Sequence, residues 1–437
     1  MTSIAFTSLF LGLVLGAQTI GVNVDGPIAA VEYQLDGKPI GRSVSRPWSL
    51  SVDFGTELSP HVLDARALDR SGNEIARARQ WLNLPRPRAE TGIVLEKDER
   101  GRAIAALLSW QSLFGSRPQS ISVTFDGRPL RVEEGGRVTL PPYESGKTHL
   151  LTAELEFGEH ARSRADVVLG GDTGDEARSE LTAIPVTVRS GQDLPEVKDL
   201  QDCLQEAGRP LEVVAVEDGP AQVVIVRARG SREVRDILGG GPRFFLKEES
   251  ERFFGSIRLA GKDRVRFVWP VPQRFNDLVL SSDLFPSTTD VTMSFGSFHW
   301  ILTRTYLPEG SDSVQRFADA AAVAGLEAFE SSARRAVVVM LGAARDSSRL
   351  SPENVRLYLN RLRVPLFVWS LVDRSSHPDI ARWGTVVDVS SAQRFGRAVR
   401  DLKSALKEQH VLWIDGKHLP QEISLTEKGH ALFELVR

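Results

Sequence analysis

The chain has 437 residues, is 41% hydrophobic, and carries 54 Lys and Arg against 57 Asp and Glu, a formal net charge of -3. At roughly 150 residues per domain that is enough for about three cores, and the interspersed charges leave no electrostatic case for nucleic acid or an anionic membrane surface. A single cysteine, Cys203, excludes an intramolecular disulfide and any multi-cysteine zinc or iron-sulfur site.

Residues 4–17, IAFTSLFLGLVLGA, form an apolar run too short to span a bilayer, followed by Gln18 and polar sequence. This layout predicts a signal peptide over residues 1–17, with Val14-Leu15-Gly16 as small-residue cleavage context, and hence export to the periplasm, cell surface or medium. No Lys or Arg precedes the run, and a buried N-terminal strand is the competing reading.

Two segments about 90 residues apart repeat a pattern: VEYQLDGKPI over 31–40 and ISVTFDGRPL over 121–130. In each an alternating strand meets Asp-Gly, a basic residue, Pro and an aliphatic residue. Asp-Gly between apolar runs predicts a tight hairpin, because glycine accepts positive φ without penalty. Period-two strands follow in both copies, HVLDARA from His61 and HLLTAEL from His149, and the first copy closes with a turn at 69–73 and a strand through Trp81. With the Asp-Gly and the later Gly and His, both copies resemble bacterial Ig-like modules; the Asp-x-x-Gly-Asn turn belongs to the first copy, and the second has Phe157-Gly158-Glu159 in its place. The resemblance implies an all-β sandwich over 18–87 and a second over 88–170, with Pro85-Arg86-Pro87 as a stiff linker.

Residues 170–176, GGDTGDE, read as a solvated acidic break; Asp172, Asp175 and Glu176 do not have the spacing of an EF-hand. A short β linker unit is expected over 179–219, with a strand at Leu181–Val188. The run Val223–Val226 has no alternation and reads as a strand buried on both faces, leading through a polar turn into a helix capped by Ser231. Ligands of open α/β sheets sit beyond the carboxyl ends of such strands.

From Leu181 to the C terminus the chain resembles exported bacterial proteins related to the von Willebrand factor A domain. The resemblance rests on the segment 202–210 ahead of the Val223 strand, then KDRVRFVW (262–269), AVVVML (336–341) and VPLFVWSLV (364–372) as later strands. A helix over 351–362 capped by Ser351 with Pro352 at its first position, the strand 384–389, the helix 391–407 and a closing tail near QHVL (409–412) follow in order. It implies a Rossmann-like α/β domain over 220–437 with a C-terminal β extension, and a divalent cation held above the sheet by an Asp-x-Ser-x-Ser turn, a Thr loop and a second Asp.

Here that turn reads Arg227-Ala228-Arg229-Gly230-Ser231, so Arg227 stands where the resemblance places an aspartate and Arg229 where it places a serine. Ser311 or Ser313 would replace the threonine, and Ala343 the second aspartate. Two guanidinium groups facing a cation oppose it by roughly 4 kcal/mol per pair of charges at about 4 Å and intermediate dielectric. No metal and no cofactor is therefore expected. Arg227, Arg229, Ser231, Ser311, Ser313 and Asp346 remain as a candidate partner-binding rim. The arginines either pair with local carboxylates such as Asp236, Asp312 or Asp346, or grip a partner's carboxylate.

Other chemistry finds little support. The eight histidines show no His-x-x-x-His pair, and no Gly-x-Ser-x-Gly, P-loop or dinucleotide fingerprint follows a strand. Cys203 reads as a small buried hydrophobe, Gly239-Gly240-Gly241 as a helix C-cap, and Phe244, Phe245, Phe253 and Phe254 as one amphipathic element packed on the core. The long segment 273–300 is a second candidate binding surface. The expectation is an exported, non-enzymatic interaction or scaffold protein with a protein partner, its β modules acting as spacers. A secreted hydrolase with an unrecognised site and a metal-dependent adhesin are the alternatives.

Overall fold

The structure, a computed structural model, describes residues 3–8, 13–85, 89–98, 102–112, 117–133, 135–144, 146–157, 162–170, 181–189, 194–227, 262–272, 285–292, 315–342, 344–372 and 380–436. The chain is rich in β-structure and falls into several units, as its sequence implies. The first is built from β1 (Ser3–Phe6), β2 (Ala17–Asp25), β3 (Ala30–Leu35), β4 (Lys38–Ser43), β5 (Ser49–Asp53), β6 (His61–Leu68) and β7 (Glu74–Leu82). They form two antiparallel sheets ordered β1-β2-β5 and β4-β3-β6-β7. Alternation turns Val31, Tyr33, Leu63 and Ala65 inward to meet Ile20, Val22 and Val24 in one core.

Residues 3–6 of the apolar run that the sequence reads as a leader stand here in the first sandwich. β1 pairs with β2 from Ser3–Asp25 to Phe6–Val22, and Ile4 and Phe6 pack against the sandwich core. The apolarity that reads as a signal is core-filling here. Val14 is buried and its backbone is held by Asn83, whose Oδ1 accepts Val14 N–H at 2.6 Å while its Nδ2 donates to the Val14 carbonyl at 3.0 Å.

The second unit repeats the plan with β8 (Ala89–Lys97), β9 (Ala103–Ser112), β10 (Ser120–Phe125), β11 (Arg128–Leu130), β12 (Arg137–Thr139), β13 (His149–Glu156) and β14 (Arg162–Leu169), in sheets β12-β9-β8 and β11-β10-β13-β14. Both Asp-Gly turns take the predicted form, with φ of 49 at Asp36 and Asp126 and 73 and 74 at the following glycines. The repeat has a further element: each turn aspartate reaches the next strand. Asp36 Oδ1 accepts Val62 N–H and its Oδ2 meets His61 Nδ1 at 2.7 Å; Asp126 does the same with Leu150 and His149, at 2.6 Å. Aspartate and histidine thus form one register pin per module.

β15 (Leu181–Val188), β16 (Leu204–Glu206), β17 (Arg209–Leu211) and β18 (Val213–Glu217) follow. Next come β19 (Gln222–Arg227), β20 (Arg264–Val268), β21 (Val291–Thr292), α1 (Phe317–Glu330), β22 (Arg335–Leu341), α2 (Pro352–Arg361), β23 (Leu366–Ser370), β24 (Val386–Asp388) and α3 (Ala392–Glu408). These make a six-stranded sheet ordered β21-β20-β19-β22-β23-β24, parallel except for the antiparallel edge strand β21. β19 is central and buried on both faces: Val223 and Ile225 meet Phe395, Val399 and Leu402 of α3, while Val224 and Val226 meet α1 and α2. Fully burying each of these side chains is worth roughly 1.5–3 kcal/mol.

The chain ends in β25 (Gln409–Asp415), β26 (Ile423–Leu425), α4 (Glu427–Leu432) and β27 (Phe433–Leu435). These strands do not extend the α/β unit. They complete sheets β18-β25-β15-β27 and β17-β16-β26, around a core of Ile184, Val186, Cys203, Leu412, Ile414 and Phe433. The expected linker unit over 179–219 and the expected C-terminal extension are therefore two halves of one β unit, with the α/β unit inserted between them. The reason is register: the Leu181–Asp415 to Thr187–Gln409 pairing needs strands more than 200 residues apart in sequence.

The first sandwich is not a free spacer. Its loop seats Leu58 in the core of α1 and α2; Asn354 Oδ1 accepts Leu58 N–H at 2.7 Å and Arg361 donates to the Leu58 carbonyl at 2.9 Å. Tyr358 Oη, buried, donates to the Asn83 carbonyl at 2.8 Å. Asn83, in the left-handed region at φ 55, thereby ties the N-terminal run to α2. Burial pushes the Tyr358 phenol well above its ordinary range, and that of Tyr33 up to about 12. A phenol held neutral by the fold contributes stability that is present below its unfolded pKa near 10 and is lost as pH rises through the folded value. We expect the folded protein to lose stability between about pH 10 and 12, and Tyr358→Phe to cost about 1 kcal/mol at pH 7 while shrinking that alkaline loss. Urea denaturation at both pH values, followed by tyrosinate absorbance, measures it.

Candidate functional site

In an open α/β sheet the site belongs at the carboxyl edge, where β19, β20, β22 and β23 end. The Val226–Val268 pairing brings the residues that follow, Arg227 and Trp269, side by side. The Arg227 guanidinium carbon lies 5.8 Å from the centre of the Trp269 ring, within cation–π range. Arg227 is 1% exposed and Trp269 3%. The arginine read from sequence as part of a partner-binding rim is instead an interior side chain packed on an indole. Trp269 was the partner missed; it was legible only by aligning the ends of two parallel strands.

Asp346, the carboxylate of the candidate rim, is used elsewhere. Its Oδ1 accepts Phe317 N–H at 3.0 Å and its Oδ2 Ala318 N–H at 3.3 Å, and Ser348 Oγ accepts Ala318 and Asp319 N–H at 2.9 and 3.1 Å. Asp319 returns the contact, accepting the backbone N–H of Arg349 and Leu350 at 3.0 and 2.9 Å. The loop 346–350 thus caps α1 from outside its own sequence. α1 needs this because its N-cap position is Arg316, which offers no acceptor. Burial pushes the Asp346 carboxyl above its usual range, against the opposing pull of Ser348 and the two helix amides.

Arg229, Ser231, Ser311, Ser313 and Ala343 lie outside the described residues, as do Asp236 and Asp312. So do residues 171–176 of the acidic break, the helix expected after Ser231, Gly239–Gly241, the four phenylalanines at 244–254 and most of 273–300. Among the described residues, no three His, Cys, Asp or Glu gather so as to hold a metal ion. Four of the described histidines pair with carboxylates: Nδ1 of His61, His149, His410 and His418 meets Asp36, Asp126, Asp218 and Glu206 respectively. Cys203 is buried beside the Asp199 carbonyl, and burial raises its thiol, the opposite of what a nucleophile needs.

No family model matches the chain, and neither does any curated protein. Solved structures similar to parts of it include the fibronectin(III)-like modules of CbhA from Clostridium thermocellum, at 13% identity and a TM-score of 0.16, covering 38% of this chain and 93% of that one. The central fibronectin-III array of RIM-binding protein aligns at 12% identity and a TM-score of 0.20, over 48% of this chain and 78% of that one. The human COPII-coat protein Sec24c aligns at 9% identity and 0.27, over 49% and 43%.

Replacing Asp346 by Ala is expected to destabilise the α/β unit by about 1–2 kcal/mol, the usual cost of losing a helix cap, with Asp346→Asn recovering most of it. Chemical denaturation of the full chain reads both.

Proposed function

We propose that the α/β unit is a von Willebrand factor A-type domain that has lost its cation, and that the protein is a non-enzymatic interaction scaffold. The reading is carried by one observation: strand order 3-2-1-4-5-6, counted within the unit, with the third strand antiparallel and a buried guanidinium, Arg227, at the carboxyl end of its first strand. A cation there would meet a like charge in place of a carboxylate. Because Arg227 is interior, its packing on Trp269 supports the local, structural reading of the arginine over a direct grip on a partner. The surface offered to a protein partner then lies on the assembled sandwiches and α/β unit as a whole.

Two measurements test this. Magnesium or manganese is expected to leave the melting temperature unchanged, because a ligand that does not bind the native state cannot stabilise it. Affinity capture with the full chain from the cell envelope is expected to recover the same protein in chelator as in magnesium. A cation-dependent rise in melting temperature, or capture that needs the cation, moves the assignment to a metal-dependent adhesin. Turnover of ester or glycoside substrates moves it to a hydrolase.

Export belongs to the same proposal and rests on the apolar run at 4–17. Cleavage after Gly16 would remove β1 and Val14, and with them both Asn83 contacts. We expect the exported protein to keep residues 3–14. N-terminal sequencing of protein recovered from the envelope checks this, and a mature start near Ala17 would show that the run is a leader.

A further inference from the structure

An open groove of about 870 Å³ runs over the outer face of the first sandwich, between the end of β1, the middle of β2 and the segment leading into β5. That volume is within the range of small-molecule sites, roughly 300–1,000 Å³. Its lining mixes polar groups with the apolar Val22 and Pro47. Thr7, Thr19 and Ser49 bring hydroxyls, Asn23 an amide, Arg46 a guanidinium and Trp48 an indole. Thr19 and Asn23 stand on the outward face of β2 on either side of Gly21, whose missing side chain keeps the floor open: a Cβ there would come 2.8 Å from Thr7 Oγ1.

The wall is held in place. The Trp48 carbonyl accepts Val22 N–H at 3.0 Å and the Tyr33 hydroxyl at 2.8 Å, and Arg46 Nη2 donates to the Val24 carbonyl at 3.3 Å. The Trp48 Nε1 hydrogen is buried and has no acceptor among the described residues, a state that ordinarily costs about 1–3 kcal/mol.

From this lining we infer that the groove is a carbohydrate-binding site. Each hydroxyl and the amide can both donate and accept, which is what neighbouring sugar hydroxyls require. The half-buried indole lines the groove, and an indole is an amphipathic surface of the kind on which a pyranose ring packs. Among the described residues no carboxylate, histidine or cysteine lines the groove. A single arginine is too little charge for a nucleic-acid track. The site is independent of the α/β unit and of its reading as a scaffold.

The test is affinity electrophoresis of the full-length protein through native gels containing xylan, laminarin or polygalacturonate. The wild type is expected to be retarded by at least one of them. Thr19→Ala/Asn23→Ala, which alters only outward-facing side chains, should weaken that retardation by about tenfold, and Trp48→Ala should abolish it. Trp48 also touches the core, so the double variant with an unchanged melting temperature is the deciding one. Three outcomes overturn the proposal: no retardation in any gel, equal retardation of the double variant, or retardation by polygalacturonate that only Arg46→Gln removes, which is bare charge attraction.

Discussion

The structure depends on β19 being buried on both faces. An uninterrupted Val-Val-Ile-Val run has no polar side to show to water, so it must be sandwiched, and α3 on one face with α1 and α2 on the other do this. Parallel neighbours follow, since β20 and β22 reach β19 only through crossovers. The same burial makes Arg227 an interior residue, because the strand that carries it has no exposed edge.

The units around that sheet are joined by polar contacts, some buried and some partly exposed. Arg164 of the second sandwich reaches Asp166 on its own strand at 3.0 Å and Glu217 of the split β unit at 2.9 Å, and stacks 4.9 Å from the Trp413 ring. Arg264 on β20 reaches Glu154 of the second sandwich at 3.1 Å. At the amino end of the sheet, buried Arg335 donates to carbonyls at the ends of α1 and α2 and to the Ala183 carbonyl on β15. Desolvation pulls the pKa of its guanidinium down to about 9, and the helix-end carbonyls it meets carry partial negative charge. Breaking the contacts of buried Arg335 and Asp166 is costly because it would leave a charge buried without a partner.

These junctions change what the β modules are for. A spacer holds a binding head away from its neighbours, whereas here the first sandwich covers α2 through Leu58 and Asn83, and the second meets both the split β unit and the α/β sheet. The groove on the first sandwich lies on a face that this docking leaves open to solvent. At the carboxyl edge of the sheet, where a ligand would be sought first, Arg227 and Trp269 pack on each other as interior side chains.

What the sequence determined by itself was local and periodic. Alternation marked the strands of both sandwiches, Asp-Gly specified their turns, and the unbroken Val223 run specified a central strand. Ser351 and Ser391 marked helix starts because their caps lie within their own segments. Tertiary structure decided everything that joins residues far apart. α1 had no readable start, since its caps come from Asp346 and Ser348, about 30 residues on. The split β unit and the docking of α2 on Asn83 were equally hidden. An apolar residue shows in sequence only that it must leave water; which surface receives it depends on partners that three-dimensional packing alone supplies.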